Sequence, residues 1–548
     1  MTHDPPPWWQ RATGYQIYPR SFCDSNGDGI GDIPGILSRL DHLAELGIGF
    51  VWLSPVYRSP MADNGYDISD YRDVAPEFGT LADLDRLIAA ARERDIGIVM
   101  DLVVNHTSDR HAWFEAARSA RDHRLRDFYI WRDPAPDGGP PDTRQSYFGG
   151  PAWEWDAGSG QYYFHLFAKE QPDLNWRNPE LRAAIHDMMR WWLDRGIAGF
   201  RMDVIDLIGK DVDAGLIEEG PFLHHYLQEM HRAVLAGRDV LSVGESWNAT
   251  TDTALLYSGR TRGELSMIFQ FEQVTRFWDP ALGKWKPRRM DLPALKEVFF
   301  RWQAALAQDG WNALFWGNHD LPRAVSRHGC DGVHRVASAK TLATVLHTMR
   351  GTPFVYQGDE IGMTNARFTR IEQFRDVETL NHHALEVARG MDPAAFIAGA
   401  NANGRDNGRT PMQWTAGKNA GFTSGTPWIG VNPNHAEINV ADQARDEGSV
   451  LAHHRRLIAL RKSHPVLVEG SFTPHLAEHP QIWAQERRLE GVRLVVLANF
   501  GCTDCALDLP PTLAIEGRCL LATHGARAAL SGRVTLAPWE SVVILSGA

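Results

Sequence analysis

Three carboxylates stand at the ends of short apolar runs: Asp203 in Gly199-Phe200-Arg201-Met202-Asp203-Val204, Glu245 in Val243-Gly244-Glu245-Ser246-Trp247, and Asp320 in Gly317-Asn318-His319-Asp320. An unpaired charge is costly to bury, so an apolar run that stops in one marks a place where the charge is used. Three such runs separated by helical patterns are what parallel strands delivering carboxylates to one face would leave in a sequence. Carboxylates grouped in this way perform nucleophilic and acid/base chemistry on glycosides. Arg201 and Asp203 lie two residues apart and share a strand face. The guanidinium then favours the ionised carboxylate that a nucleophile requires. Glu245 ends the run Leu241–Gly244, where partial desolvation raises a carboxyl pKa and suits it to general acid work. An ionised Asp320 could stabilise positive charge on a reacting sugar ring. Each of them alone fits a salt bridge at a sheet rim equally well; the shared context of all three is what points to chemistry.

The elements that must hold these residues alternate along the chain. Strand candidates are Gly14–Tyr18, Gly49–Leu53, Gly97–Val104, Ala198–Asp203, Val240–Gly244, Met267–Phe271, Ala313–Gly317 and Thr352–Tyr356. Between them lie helical patterns at Ile33–Leu46, Thr80–Arg94, Pro179–Arg195, Pro221–Ala236, Pro293–Ala307 and Arg335–Met349. Pro179 and Pro293 sit where a first helical turn tolerates proline. Eight strands with interleaved helices predict an α/β fold, a (β/α)8 barrel of the TIM type with its polar residues at the C-terminal strand ends. Residues 105–172, after strand three, are loop-rich and aromatic and predict an inserted small domain over the barrel mouth. The barrel then comprises 1–104 and 173–469, including a long Gly/Asn-rich loop at 362–433 of the kind that forms lids and walls. From 470 to 548 the helical signal stops, and runs such as Val492–Asn499 and Val534–Leu545 predict a C-terminal antiparallel β-sandwich domain.

The whole-chain properties narrow the function classes. With 548 residues, more than one domain is expected. A formal charge of −12 argues against nucleic acid or an anionic membrane as the main partner. Twenty Trp is a high number; exposed Trp faces suit flat sugar rings, while core packing is the other reading and covers most of them. The N-terminal stretch Met1–Trp9 has neither a basic nor an apolar leader region, and no run is long enough to span a bilayer, which points to a cytoplasmic protein. Of the five cysteines, Cys502 and Cys505 form a C-x-x-C, either a metal or redox pair or two ordinary thiols in a β domain; no second pair accompanies them.

With the blocks Asp101-Leu-Val-Val-Asn-His106, Gln171-Pro-Asp-Leu-Asn-Trp176, Gly199–Val204, Val243–Trp247, Trp316-Gly-Asn-His-Asp320 and Gly351–Glu360 in this order, the chain resembles the α-amylase superfamily, glycoside hydrolase family 13, over essentially its full length. The resemblance implies a retaining mechanism: Asp203 as nucleophile, Glu245 as acid/base, and Asp320 as the residue that binds ring hydroxyls and stabilises the transition state. It also places His106, Arg201 and His319 on the sugar of the first subsite; a packed histidine is the other reading of His106. Ala62-Asp63-Asn64-Gly65-Tyr66-Asp67 is similar to the glucose-pocket block of the oligo-1,6-glucosidase and dextran glucosidase branch. There Tyr66 would stack on the ring while Asp63 and Asp67 bind hydroxyls at the chain end. Arg409 in Gly408-Arg-Thr-Pro-Met-Gln-Trp414 would help Asp63 wall off the pocket, or else form an ion pair within a long loop.

A walled pocket implies exo action. In this branch Val204 accompanies preference for α-1,6 bonds, where Ala or Thr accompanies α-1,4, and Trp247 resembles the acceptor-side Trp of isomaltose-cleaving members. Ser246 and Asn248 replace the more usual Thr and Gly. The substrate expected is an oligosaccharide with α-1,6 links (isomaltose, isomaltooligosaccharides, panose or dextran), with transglucosylation as a side reaction. Alternatives on the same scaffold are a sucrose-active or α-1,4-preferring α-glucosidase, or a sucrose isomerase or trehalose synthase. Gln273–Trp278 does not resemble the Arg-rich loop of sucrose isomerases. A catalytically dead transporter partner is disfavoured by the intact triad. Asp24-Ser-Asn26-Gly-Asp28-Gly-Ile30-Gly-Asp32 reads as one structural Ca2+ site, with Asp24, Asn26, Asp28, Asp32 and the Ile30 carbonyl as ligands; an Asx-rich turn without metal is the alternative. No organic cofactor is expected, and the chain is taken as a monomer or homodimer.

Overall fold

Eight parallel strands carry the fold: β1 (Gly14–Ile17), β2 (Phe50–Leu53), β3 (Gly97–Val103), β4 (Gly199–Asp203), β5 (Leu241–Ser246), β6 (Met267–Gln270), β7 (Ala313–Leu314) and β8 (Thr352–Tyr356). In this computed structural model, which describes residues 6–547, consecutive strands pair from β1 to β6, β7 pairs with β8, and β8 returns to β1. A parallel bridge from Ile268 to Asn312 joins β6 to the start of β7 and closes the barrel. The first five residues, part of the N-terminal stretch considered above, and Ala548 lie outside the described region. Strands β2, β4 and β8 are buried along their whole length, as expected where helices cover one face and the barrel interior the other. Gly199 makes the close β4–β5 contact possible: its φ is +146°, and a Cβ there would lie 1.9 Å from the Leu241 carbonyl oxygen.

The helices start where the sequence places them. Asn178 caps Pro179–Asp194, Asp291 caps Leu292–Ala305, and Thr80 with Asp83 forms a capping box on Leu81–Arg92. Three expectations change. The run Ile33–Leu46 is two helices, Ile33–Leu37 and Leu40–Leu46, broken where the Ser38 hydroxyl donates to the Gly35 carbonyl. Strand seven is two residues long, because after Leu314 the chain leaves the sheet to carry Asn318–Asp320 across the barrel mouth. The segment 362–433, expected as loop, contains helices at Val377–Ala388, Pro393–Asn403 and Asp406–Arg409. Asp376 and Asp392 cap the first two of these.

Smaller sheets flank the barrel. A three-stranded sheet (Trp131–Arg132, Gln161–Phe164, Trp153–Asp156) stands in the segment after β3. At the C-terminal end, a five-stranded antiparallel sheet runs in the order 471–475, 482–489, 492–499, 541–546, 518–522. It packs on a smaller layer that contains Cys505–Asp508 paired with Arg533–Leu536. Cys502 and Cys505 are both free thiols in this domain, and no cluster of three His, Cys, Asp or Glu side chains suited to a metal occurs among the described residues. No helix of the described residues is long and apolar enough to cross a membrane.

Candidate active site

Register brings the charged residues of β3, β4 and β5 together. Asp101 pairs with Arg201 across β3–β4, and Val243 pairs with Arg201 across β4–β5, which sets Glu245 one pleat further up the barrel. The Arg201 side chain is fully buried and grips three carboxylates. Nη1 donates to both oxygens of Asp101 (2.8 and 3.0 Å) and to Asp203 Oδ1 (2.7 Å), while Nη2 pairs with Glu245 Oε2. The guanidinium lies 4.7 Å from the Trp52 ring centroid. Burial, reinforced by Glu245, Asp101 and Asp320, pushes the Asp203 pKa well above the carboxylate range, and Arg201 opposes it. Asp101 is pushed up to about 6 by burial, against the same guanidinium. One cation facing three buried acids leaves the cluster short of positive charge, which opposes full ionisation of Asp101 and Asp203.

Asp320 has the opposite environment. Burial works against its ionisation, yet contact with His319 and the charges of Arg405, Arg409 and Arg201 hold it well below the ordinary range. Arg405 Nη1 and Arg409 Nη2 reach its Oδ1 at 3.2 and 2.9 Å. The His319 ring, pushed down to about 3 by burial, is neutral at physiological pH, so the arginines supply the charge. It is held by Gln16 Nε2 at 2.8 Å and stacks on Tyr66 at 5.2 Å.

A cavity of about 340 Å³ opens at this end of the barrel. Asp203, Glu245, Asp320, Asp63, Tyr66, His106, Val204 and Trp247 all line it. Arg201, His319 and Arg409 stand behind these lining residues, where Arg201 bonds Asp203 and Arg409 bonds Asp320. The Tyr66 hydroxyl donates to Asp101 (3.0 Å), and Gln171 Nε2 lies 3.1 Å from His106 Nε2 and 3.3 Å from Asp63 Oδ2. Burial pushes His106 down to about 4, so its ring is neutral. Trp247 stacks on Phe271 at 3.9 Å and donates from Nε1 to Glu245 Oε1 (2.9 Å). Val204 caps a short 3-10 turn at φ +35°, an uncommon conformation for a β-branched residue, and its N–H donates to Glu245 Oε2 (3.1 Å).

Two roles expected from sequence move to other residues. Asp67 is buried and accepts the backbone N–H groups of Ala62 and Asp63 (2.9 and 3.0 Å), so it staples a turn and does not face the cavity. Arg409 bonds Asp320 and the His319 carbonyl; it is Arg405 that reaches Asp63 Oδ1 (3.3 Å), and Arg405 also pairs with Asp376 Oδ1 (2.5 Å). Asp63 is pushed up to about 7 by burial despite both arginines. The spacing Arg405–Arg409, four residues on one helical turn, is the signal that identified neither role. Asp206 was also missed. Its Oδ2 accepts from Ser246, Trp247 and Asn248, its Oδ1 has no partner, and burial pushes it up to about 7.

The candidate calcium loop lies elsewhere, against residues 423–426. Asp24 accepts the N–H groups of Asn26, Gly27 and Gly29, Asp28 that of Ile30, and Asp32 those of Ser25 and Gly35. Asp24, Asp28 and Asp32 do not converge as a three-carboxylate group. The donor types suit a hard cation, but the loop as placed closes on its own N–H groups.

Residues 16–470 match the family model described as "Alpha amylase, catalytic domain". The chain belongs to the alpha-amylase family. Among curated members, it is 53% identical over 98% of both chains to a palatinase of Erwinia rhapontici. It is 49% identical, again over 98% of both chains, to an oligo-1,6-glucosidase of Parageobacillus thermoglucosidasius. Among solved members, the isomaltulose synthase of Protaminobacter rubrum superposes with a TM-score of 0.96 at 39% identity, covering 99% of this chain and 100% of that one.

Proposed function

We propose that the protein is an exo-acting retaining α-glucosidase that releases glucose from non-reducing ends held by α-1,6 bonds, in isomaltose, isomaltooligosaccharides, panose or dextran. The observation that carries this reading is the single guanidinium of Arg201 holding Asp203 and Glu245 on its two terminal nitrogens. Such a clamp favours the close spacing of a retaining pair, about 5–5.5 Å, over the wider gap of an inverting one. Asp203 attacks the anomeric carbon while Glu245, as general acid, protonates the departing oxygen. Glu245 then takes a proton from the water that releases glucose. Asp320, kept ionised by Arg405 and Arg409, binds ring hydroxyls and meets the positive charge that develops on the ring. The contacts among Asp63, Arg405 and Asp376 close the far end of the cavity, which supports action on chain ends.

The α-1,6 preference is supported by Val204 and Trp247 at the acceptor side and by the names of the similar enzymes. Parallel product analysis with isomaltose, palatinose, maltose, sucrose and trehalose tests it. Glucose release from the two α-1,6 substrates should exceed the others at least tenfold in kcat/KM. Comparable rates on maltose would overturn the linkage. Conversion of sucrose to an isomer would favour the second reading, glucosyl transfer, which the likeness to an isomaltulose synthase supports. Calcium binding by Asp24, Asn26, Asp28, Ile30 and Asp32 is a separate structural proposal; it rests on donor type, and it requires the carboxylates to exchange N–H partners for the ion.

A further inference from the structure

Next to the catalytic cavity is a second one of about 580 Å³, walled by the segment after β6, the helix Ala324–His328, the stretch Asn365–Thr369 after β8 and the helix Pro393–Asn403. Its size is that of a small-molecule site, not of a bare ion. Three arginines line it, Arg288, Arg327 and Arg367, against one acid, Asp331, whose carboxylate is already engaged by the Ser326 hydroxyl (3.0 Å). Arg327 is half-buried with no carboxylate to offset it, and burial alone pulls its pKa down to about 10. Three guanidinium groups gathered around one cavity without matching carboxylates repel one another, and a bound anion would relieve this. In a chain of net charge −12, this concentration of positive charge runs against the overall balance.

The same arginines hold the partition between the two cavities. Arg327 Nη2 donates to the Val274 carbonyl (2.7 Å) and Arg288 Nη1 to the Trp278 carbonyl (3.0 Å). Thr275 and Trp278 face the catalytic cavity, while Phe277 between them faces the second one. We propose that this second cavity binds a phosphorylated sugar, with the arginines on the phosphate and Phe277 under the ring, and that its occupation shifts the wall at Trp278. An anion drawing the two guanidinium groups away from their carbonyls loosens the segment that borders the catalytic cavity.

The test is calorimetric titration of the full-length protein with glucose 6-phosphate while 1-deoxynojirimycin saturates the catalytic cavity. Saturable binding is expected, at least tenfold weaker in Arg367→Gln and in Arg327→Gln, with no binding of glucose under the same conditions. Arg327→Gln also loses a backbone contact, so Arg367→Gln, at an exposed position, keeps the test decisive if the first variant fails to fold. No saturable heat, equal affinity in both variants, or competition by 1-deoxynojirimycin would each overturn the site. Inorganic phosphate binding as tightly as glucose 6-phosphate would overturn the sugar contact. Glucose 6-phosphate should also change KM for isomaltose at least twofold in the native protein and leave it unchanged in Arg367→Gln. An unchanged KM in the native protein overturns the coupling to the wall. The binding arm needs no turnover, so it stands or falls independently of the proposed activity.

Discussion

Val204→Ala should raise kcat/KM on maltose relative to isomaltose by about tenfold. Val204 lines the catalytic cavity and packs in the apolar cluster that includes Phe164 and Leu207, with Trp247 against it. Its backbone N–H holds Glu245, so its side chain stands next to the proposed general acid. Deleting two methyl groups from a pocket wall changes discrimination by about 1–3 kcal/mol, or roughly 10–200-fold. Stability should change much less. The lost burial costs about 1.5 kcal/mol at ~0.8 kcal/mol per carbon. Part of that is recovered, because a β-branched residue at φ +35° carries strain of order 1 kcal/mol that alanine reduces. For a chain of this length the net effect is a Tm shift of less than about 1 °C.

The assay is initial-rate glucose release from both disaccharides, with Tm measured on the same preparations. A change in the ratio of less than about twofold would refute the role of Val204. Val204→Thr separates the two physical explanations that remain. Threonine has nearly the shape of valine, so if bulk obstructs the α-1,4 approach the Thr variant should behave like the native protein. A Thr variant with the alanine phenotype refutes the steric account, since threonine keeps the bulk that alanine loses, and moves the cause to the loss of an apolar methyl beside Glu245.

Glu245→Gln should lower kcat on natural disaccharides by about 10²–10⁴-fold with little change in substrate binding by calorimetry; retained turnover would exclude Glu245 as the acid. Asp206→Asn should raise Tm at pH 8 more than at pH 5. Asp206 has a folded pKa raised by burial to about 7, so it stays protonated where the unfolded chain has ionised, and native stability falls as pH rises from about 4 to 7. The isosteric amide keeps one acceptor for Ser246 and Trp247 and removes that dependence; equal Tm changes at the two pH values would contradict the buried-acid account. If the loop at Asp24–Asp32 binds calcium, millimolar Ca2+ should raise Tm in protein first stripped with chelator, and Asp28→Asn should reduce that rise. Identical melting with and without the ion would leave an Asx-rich turn.

The barrel and its catalytic face could be read from the sequence because both depend on local signals. Apolar runs, proline at helix starts and Asn or Asp caps specify each element, and a strand's two-residue period is enough to put Arg201 and Asp203 on one side. The segment 362–433 was harder. The helix Pro393–Asn403 is rich in Ala and Asn and shows little amphipathic contrast, and the caps Asp376 and Asp392 were the signal passed over. Arg405 and Arg409 sharpen the point. Four residues apart on one turn, they share a face, so spacing says that both can approach an acidic site and nothing about which carboxylate each meets. That choice is made by the tertiary placement of Asp63, from the loop after β2, and of Asp320, from the loop after β7. Only Arg405 spans the two, at 3.3 and 3.2 Å, while Arg409 is committed to Asp320 and the His319 carbonyl. The same reasoning applies to Asp67, whose type suggested a sugar ligand until the turn it closes came into view. Residue type and spacing identify which groups can do chemistry; contacts across the barrel mouth decide which ones are free to do it.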